Sequence, residues 1–207
     1  AGEPSAPTAA APPLPAPTLE ARLRACTPAA IRSRLDAGLS DWLGESRRVS
    51  IMFVNLPGLD HRTPLDAAQA LLQVVQQSVY QFEGSLNKIS VDDKGASILA
   101  AFGLPPLAHQ DDPDRAVCSA VALRDALVAR GTSCSVGVTT GTVFCGSVGS
   151  SRRREYTVLG DTVNLAARLM MAADGAVLCD GATVEGVRSI ERTLELRPLE
   201  PLSLKGK

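Results

Sequence analysis

Asn164 and Arg168 stand four residues apart in the run Arg154-Glu155-Tyr156-Thr157-Val158-Leu159-Gly160-Asp161-Thr162-Val163-Asn164-Leu165-Ala166-Ala167-Arg168-Leu169-Met170. On a helix that spacing stacks an amide and a guanidinium on one face. A helix start also leaves backbone N–H groups free to meet an anion, so the pair suits a phosphate-bearing ligand. Upstream, Lys88 in Leu86-Asn87-Lys88-Ile89 adds a cationic donor, although on its own it reads as an exposed strand lysine. The triple Arg152-Arg153-Arg154 reads as a solvated charged loop.

These side chains need a scaffold of strands and helices to converge. Residues before Gly160 are β-rich, and a helix is expected from Asp161, with Asp161 as its N-cap. Val49 to Leu56 is an apolar run of strand length ended by Pro57-Gly58, which predicts a buried central strand. Thr63-Pro64-Leu65-Asp66 opens a helix with apolar residues at 68, 71, 72, 75, 79 and 82 and a stop at Gly84. Ser85 to Val91 and Ala96 to Phe102 flank Asp92-Asp93-Lys94-Gly95 as a hairpin. A second helix opens at Asp112-Pro113 and closes at Gly131, and Ser133 to Thr139 is a further strand.

The order is β-α-β-β-α-β, the ferredoxin-like or split βαβ plan of the α+β class, with an antiparallel sheet carrying both helices on one face. Val143 to Val148, a short strand at Val177 to Cys179 and a terminal pair near 193–204 extend it. The glycines between Gly141 and Gly149 predict a tight turn and close packing against a partner domain.

Ahead of this domain, residues 1–18 hold six prolines and six alanines and read as a disordered linker. Residues 19–46 form a helical lead-in with Leu23, Ile31, Leu35, Leu39 and Trp42 at roughly helical spacing, and the domain proper spans 47–207. The chain starts without Met and stops at Lys205-Gly206-Lys207, which predicts a fragment of a longer protein.

At 207 residues with 45% hydrophobic side chains, there is enough chain for one buried core. A net charge of −1 gives no global attraction to nucleic acid or to an anionic membrane surface. No apolar run reaches the roughly 20 residues that span a bilayer. Cysteines at 26, 118, 134, 145 and 179 form no C-x-x-C pair, so zinc clips and a disulfide framework are not expected and a reduced, cytoplasmic setting is. There is no G-x-x-x-x-G-K-[ST] loop, and His61 and His109 are isolated, so P-loop, metal and triad chemistry have no support.

Phe53-Val54-Asn55-Leu56, Asp93-Lys94-Gly95, Glu155-Tyr156-Thr157-Val158 and the Gly160 to Arg168 segment together resemble the class III nucleotidyl cyclases, over about residues 47–207. They are most similar to the second half of the soluble, bicarbonate-responsive adenylyl cyclases. The resemblance implies conversion of ATP to 3′,5′-cyclic AMP and pyrophosphate at a site shared by two cyclase domains. It implies that Lys88 and Thr157 read adenine, with Val158 beside them, that Asn164 orients the ribose and that Arg168 stabilises the α-phosphate. Lys205 resembles a lysine that reaches the outer phosphates.

Where metal-bearing halves have F-x-D-I and G-D, this chain has Asn55 and Ala96, so the resemblance implies no metal held by this chain and Mg²⁺ or Mn²⁺ held by a partner domain. That partner is expected in the same full-length protein. Subgroup resemblance also implies a bicarbonate pocket rimmed by Val91, Val158 and Arg168. The alternative reading is a catalytically silent cyclase-like module that binds nucleotide or a small anion.

Overall fold

The computed structural model describes residues 16–25, 27, 32, 36, 44–150, 154–189 and 194–200, with backbone only for 16–18 and 154. Helix α1 spans Ala16–Ala25 and so takes in the last three residues of the segment read as a linker. Ile31, Leu35, Leu39 and Trp42 of the helical lead-in lie outside the described residues, as do Arg152, Arg153 and Lys205.

From Glu45 the chain follows the expected order: β1 (Glu45–Leu56), α2 (Leu65–Gln81), β2 (Ser85–Asp92), β3 (Gly95–Phe102), α3 (Asp112–Val128), β4 (Ser135–Gly149), β5 (Arg154–Leu159), α4 (Asp161–Ala172), β6 (Val177–Cys179) and α5 (Gly181–Gly186). The sheet order is β2-β3-β1-β4-β5, with β6 parallel to β4 and the other pairings antiparallel. Its first four strands have the split βαβ arrangement, and the mixed α+β fold is the one expected.

β1 is central because both its faces are apolar. Met52, Val54 and Leu56 point into the core built by Val75 and Val79 of α2 and Val117, Leu123 and Leu127 of α3. Val49 and Ile51 point the opposite way, into a second core with Val143, Val158 and Ala166 of α4. Strand alternation separates the two sets, so α2 and α3 cover one face and α4 the other.

Several local expectations change. β4 is one strand of 15 residues, merging the segments expected at Ser133–Thr139 and Val143–Val148. The tight turn expected in Gly141–Gly149 is therefore absent, and Gly141 and Gly146 have close neighbours within the chain. A Cβ on Gly137 would lie 2.1 Å from the Ala166 carbonyl oxygen, and one on Gly141 would lie 2.5 Å from Thr162 Oγ1. Gly160, not Asp161, is the N-cap of α4, at φ 154°, and its carbonyl accepts from the Val163 and Asn164 N–H groups. Asp161 is left as a first-turn acid, favoured there by the helix dipole. Residues 194–200 contain no strand, and the rest of the expected terminal pair lies outside the described residues. Helix α5 was not expected. Asp180 caps it by accepting from the Thr183 N–H at 2.9 Å, and Thr183 continues a buried hydroxyl chain through Thr140 to Ser50.

Candidate active site

α4 has to lie flat on the sheet for Asn164 and Arg168 to be presented. Gly137 and Gly141 give its backbone room, and the Thr139 hydroxyl donates to the Thr162 carbonyl at 2.8 Å, pinning the first turn. Ala166, Leu169 and Met170 form the buried side. On the remaining face Asn164 is exposed and Arg168 half-buried, with no ion-pair partner for Arg168 among the described residues. Both are therefore open to a ligand, four residues apart as their spacing requires.

Lys88 and Thr157 occupy strands at opposite ends of the pairing order, yet the sheet curls until those strands touch. The Asn87 side-chain amide donates to the Tyr156 carbonyl at 3.1 Å, and the Thr157 hydroxyl donates to Asn87 Oδ1 at 3.4 Å. The Lys88 ammonium ends 4.0 Å from Glu155 Oε1, with both side chains about half exposed. Glu155 and Thr157 share one side of β5 by alternation, so the lysine head reaches the threonine side of that strand. At this exposure the ion pair contributes little stability and leaves Lys88 available to a ligand.

Asn87 and Glu155 are the participants that sequence reasoning did not single out. The register between β2 and β3 shifts between Leu86 and Lys88, so Asn87 is the extra residue of a bulge. Nothing local in Leu-Asn-Lys-Ile announces that.

Val158 lies one residue along β5 from Thr157, on the opposite side of the strand. It is 1% exposed, pairs with Cys145 and packs among Val49, Ile51 and Ala166, so it supports the sheet beneath the site. Of the three residues of the expected bicarbonate rim, Val158 is buried, Val91 exposed and Arg168 half-buried.

The donor chemistry at the two positions matched to metal-binding aspartates does not fit a pair of divalent cations. Asn55 lies on β1 opposite Ser97 and offers one neutral carbonyl. Ala96 is fully buried opposite Leu56 and offers no oxygen from its side chain. Nearby, Asp92 uses Oδ1 to accept the Lys94 N–H at 2.8 Å and shapes the hairpin turn. Away from this surface, burial pushes the thiols of Cys118, Cys134 and Cys179 up, that of Cys179 to about 12, so these are packing residues rather than nucleophiles.

A profile of the adenylate and guanylate cyclase catalytic domain matches residues 44–207. The chain belongs to this family. Among curated relatives of this cyclase domain, adenylate cyclase type 10 of Rattus norvegicus is 39% identical over 160 residues, 73% of this chain. The Homo sapiens protein of the same name is 37% identical over 182 residues, 83% of this chain. The chain spans only 10–11% of the length of those two relatives. The crystal structure of the adenylyl cyclase CyaB from P. aeruginosa superposes with a TM-score of 0.67 at 22% identity, covering 80% of this chain and 91% of that one. A bacterial light-regulated adenylyl cyclase gives 0.69 at 18% identity, covering 84% and 55%. At such identities the two superpositions speak for the fold, which is that of class III cyclase catalytic domains.

Proposed function

We propose that this cyclase domain is the half of an adenylyl cyclase that reads adenine and stabilises the transition state, and that it works against a second domain that holds the metals. The observation that carries this reading is the meeting of β2 and β5 through Asn87, which sets Lys88 beside the Thr157 side of β5, in a domain whose α4 presents Asn164 and Arg168.

In cyclisation the ribose 3′-hydroxyl attacks the α-phosphorus in line while pyrophosphate leaves, so catalysis is chiefly positioning and charge neutralisation. The Lys88 ammonium donates to adenine N1, and Thr157 accepts from the exocyclic amine. Asn164 orients the ribose by hydrogen bonding. Arg168 offers a fixed fork of N–H donors to the α-phosphate oxygens, whose charge grows as the pentacoordinate state forms. With Asn55 and Ala96 in the metal positions, the cations belong to the partner domain. Ile89, Val91, Phe144, Val148 and Leu159, all 39–49% exposed on β2, β4 and β5, supply apolar area for that partner.

Paired with a domain carrying both aspartates, Lys88→Ala and Thr157→Val are expected to raise KM for ATP more than they lower kcat. Base contacts act on ground state and transition state alike. Unchanged KM in both variants would remove the base-reading assignment. Equilibrium binding of a non-cyclisable ATP analogue separates this reading from a silent nucleotide-binding module, which would bind without turnover.

A further inference from the structure

We propose that Asn87 sets the base preference of this site by fixing the Thr157 hydroxyl as a hydrogen-bond acceptor, so that it meets the exocyclic amine of adenine and disfavours the 6-carbonyl of guanine. The proposal rests on the base-reading role of Thr157 given above.

A threonine hydroxyl both donates and accepts, and its proton rotates to suit its neighbours. Left to itself, Thr157 would donate to a guanine carbonyl as readily as it would accept from an adenine amine. Asn87 removes that freedom. The Tyr156 carbonyl has no proton, so the contact at 3.1 Å forces the Asn87 NH₂ toward it. The amide is planar, and its Oδ1 is thereby the atom turned to Thr157, 3.4 Å from Oγ1. An amide oxygen only accepts, so the threonine proton points to Asn87 and only lone pairs remain for a base.

Distances divide the labour between the two bonds. A hydroxyl bond is usually about 2.7–2.8 Å long and weakens beyond that, so the 3.4 Å contact orients a proton while the amide-to-carbonyl bond ties β2 to β5. The bulge explains how Asn87 can do both. With Leu86 opposite Ala100 and Lys88 opposite Leu99, Asn87 has no cross-strand partner, and its side chain is free to leave β2 for β5.

The test uses the paired enzyme and measures equilibrium binding of 3′-deoxy-ATP and 3′-deoxy-GTP together with kcat/KM for ATP and GTP. Asn87→Ala frees the hydroxyl, and the ATP to GTP ratio is expected to fall roughly five- to fifty-fold, mainly through a gain with the guanine nucleotide. Asn87→Asp loses the donor to the Tyr156 carbonyl but keeps an acceptor for the Thr157 proton, and it is expected to retain the preference. Thr157→Val is expected to weaken ATP without improving GTP. If Asn87→Ala does not fold, Asn87→Ser, too short to reach Thr157, takes its place with the same expectation.

An unchanged ratio in Asn87→Ala would overturn the proposal, as would an equal loss for both nucleotides or a loss of preference in Asn87→Asp matching that of the alanine variant. Those results would make Asn87 a brace and nothing more. A wild-type enzyme without adenine preference would overturn the base-reading role of Thr157 too, whereas adenine preference that survives Asn87→Ala overturns the role of Asn87 alone.

Discussion

In the proposed roles Arg168 and Asn164 act on different parts of one nucleotide, and that separates their expected effects. Arg168→Ala removes donors that meet charge developing at the α-phosphate, and the paired enzyme is expected to lose on the order of a hundredfold in kcat with little change in ATP affinity. Asn164→Ala misorients the ribose hydroxyl and is expected to lower kcat in the same way by a smaller factor. Steady-state kinetics beside analogue binding checks both, and wild-type kcat in either variant would contradict its assignment. Asn164 and Arg168 could be singled out from the sequence because one helix carries their spacing, and Lys88 and Thr157 only through the short motifs that carry the cyclase resemblance. Asn87 could not, since its contacts lie 69 and 70 residues away and depend on a one-residue bulge. Strand alternation turns the Val158 side chain inward beside Thr157, a burial that its place in the motif does not reveal.

The element that carries Asn164 and Arg168 is α4, and what holds it is β4. Gly137 permits backbone contact that no side chain allows, since a Cβ would lie 2.1 Å from the Ala166 oxygen and 2.5 Å from the Met170 nitrogen. Both obstacles are backbone, so neither can swing aside. Gly137→Ala is expected to cost about 1–3 kcal/mol in chemical denaturation and to lower kcat of the paired enzyme by displacing α4. Wild-type values for both would mean that α4 is not seated as described. The glycines of β4 were visible in the sequence, but their partners were not: helix and strand meet face to face, and sequence periodicity carries no record of which glycine lies under which turn.

At the start of α3, Asp112 is buried, and burial raises its carboxyl above the ordinary range, against opposing effects of the His109 N–H, the His109 charge and Arg115. A raised folded-state value means that ionisation costs more in the folded than in the unfolded chain. The associated stability is present at low pH and is lost as pH rises through the folded value. Asp112→Asn escapes this loss, so its melting temperature relative to wild type is expected to rise as the pH increases from about 4. A difference independent of pH would show that Asp112 ionises in the folded protein without added cost.

For the whole molecule, the decisive feature is the curl that brings the edge strands β2 and β5 together, because a flat sheet in the same order would hold Lys88 and Thr157 four strand spacings apart. The β-α-β-β-α-β order was readable from apolar runs and turn residues. Curl was not, since it arises from strand twist accumulated across the sheet and from the bulge in β2. The proposed roles of Lys88, Thr157, Asn164 and Arg168, with Asn55 and Ala96 where metal-bearing halves have aspartates, predict a division of labour between two domains. Cyclic AMP formation from ATP with Mg²⁺ or Mn²⁺ should therefore be measured for the purified chain alone and after mixing with a cyclase domain that carries both metal-binding aspartates. The expected result is negligible product from the chain alone and turnover on mixing that is lost with Arg168→Ala; robust turnover by the chain alone, or mixed turnover indifferent to Arg168, would contradict the divided site.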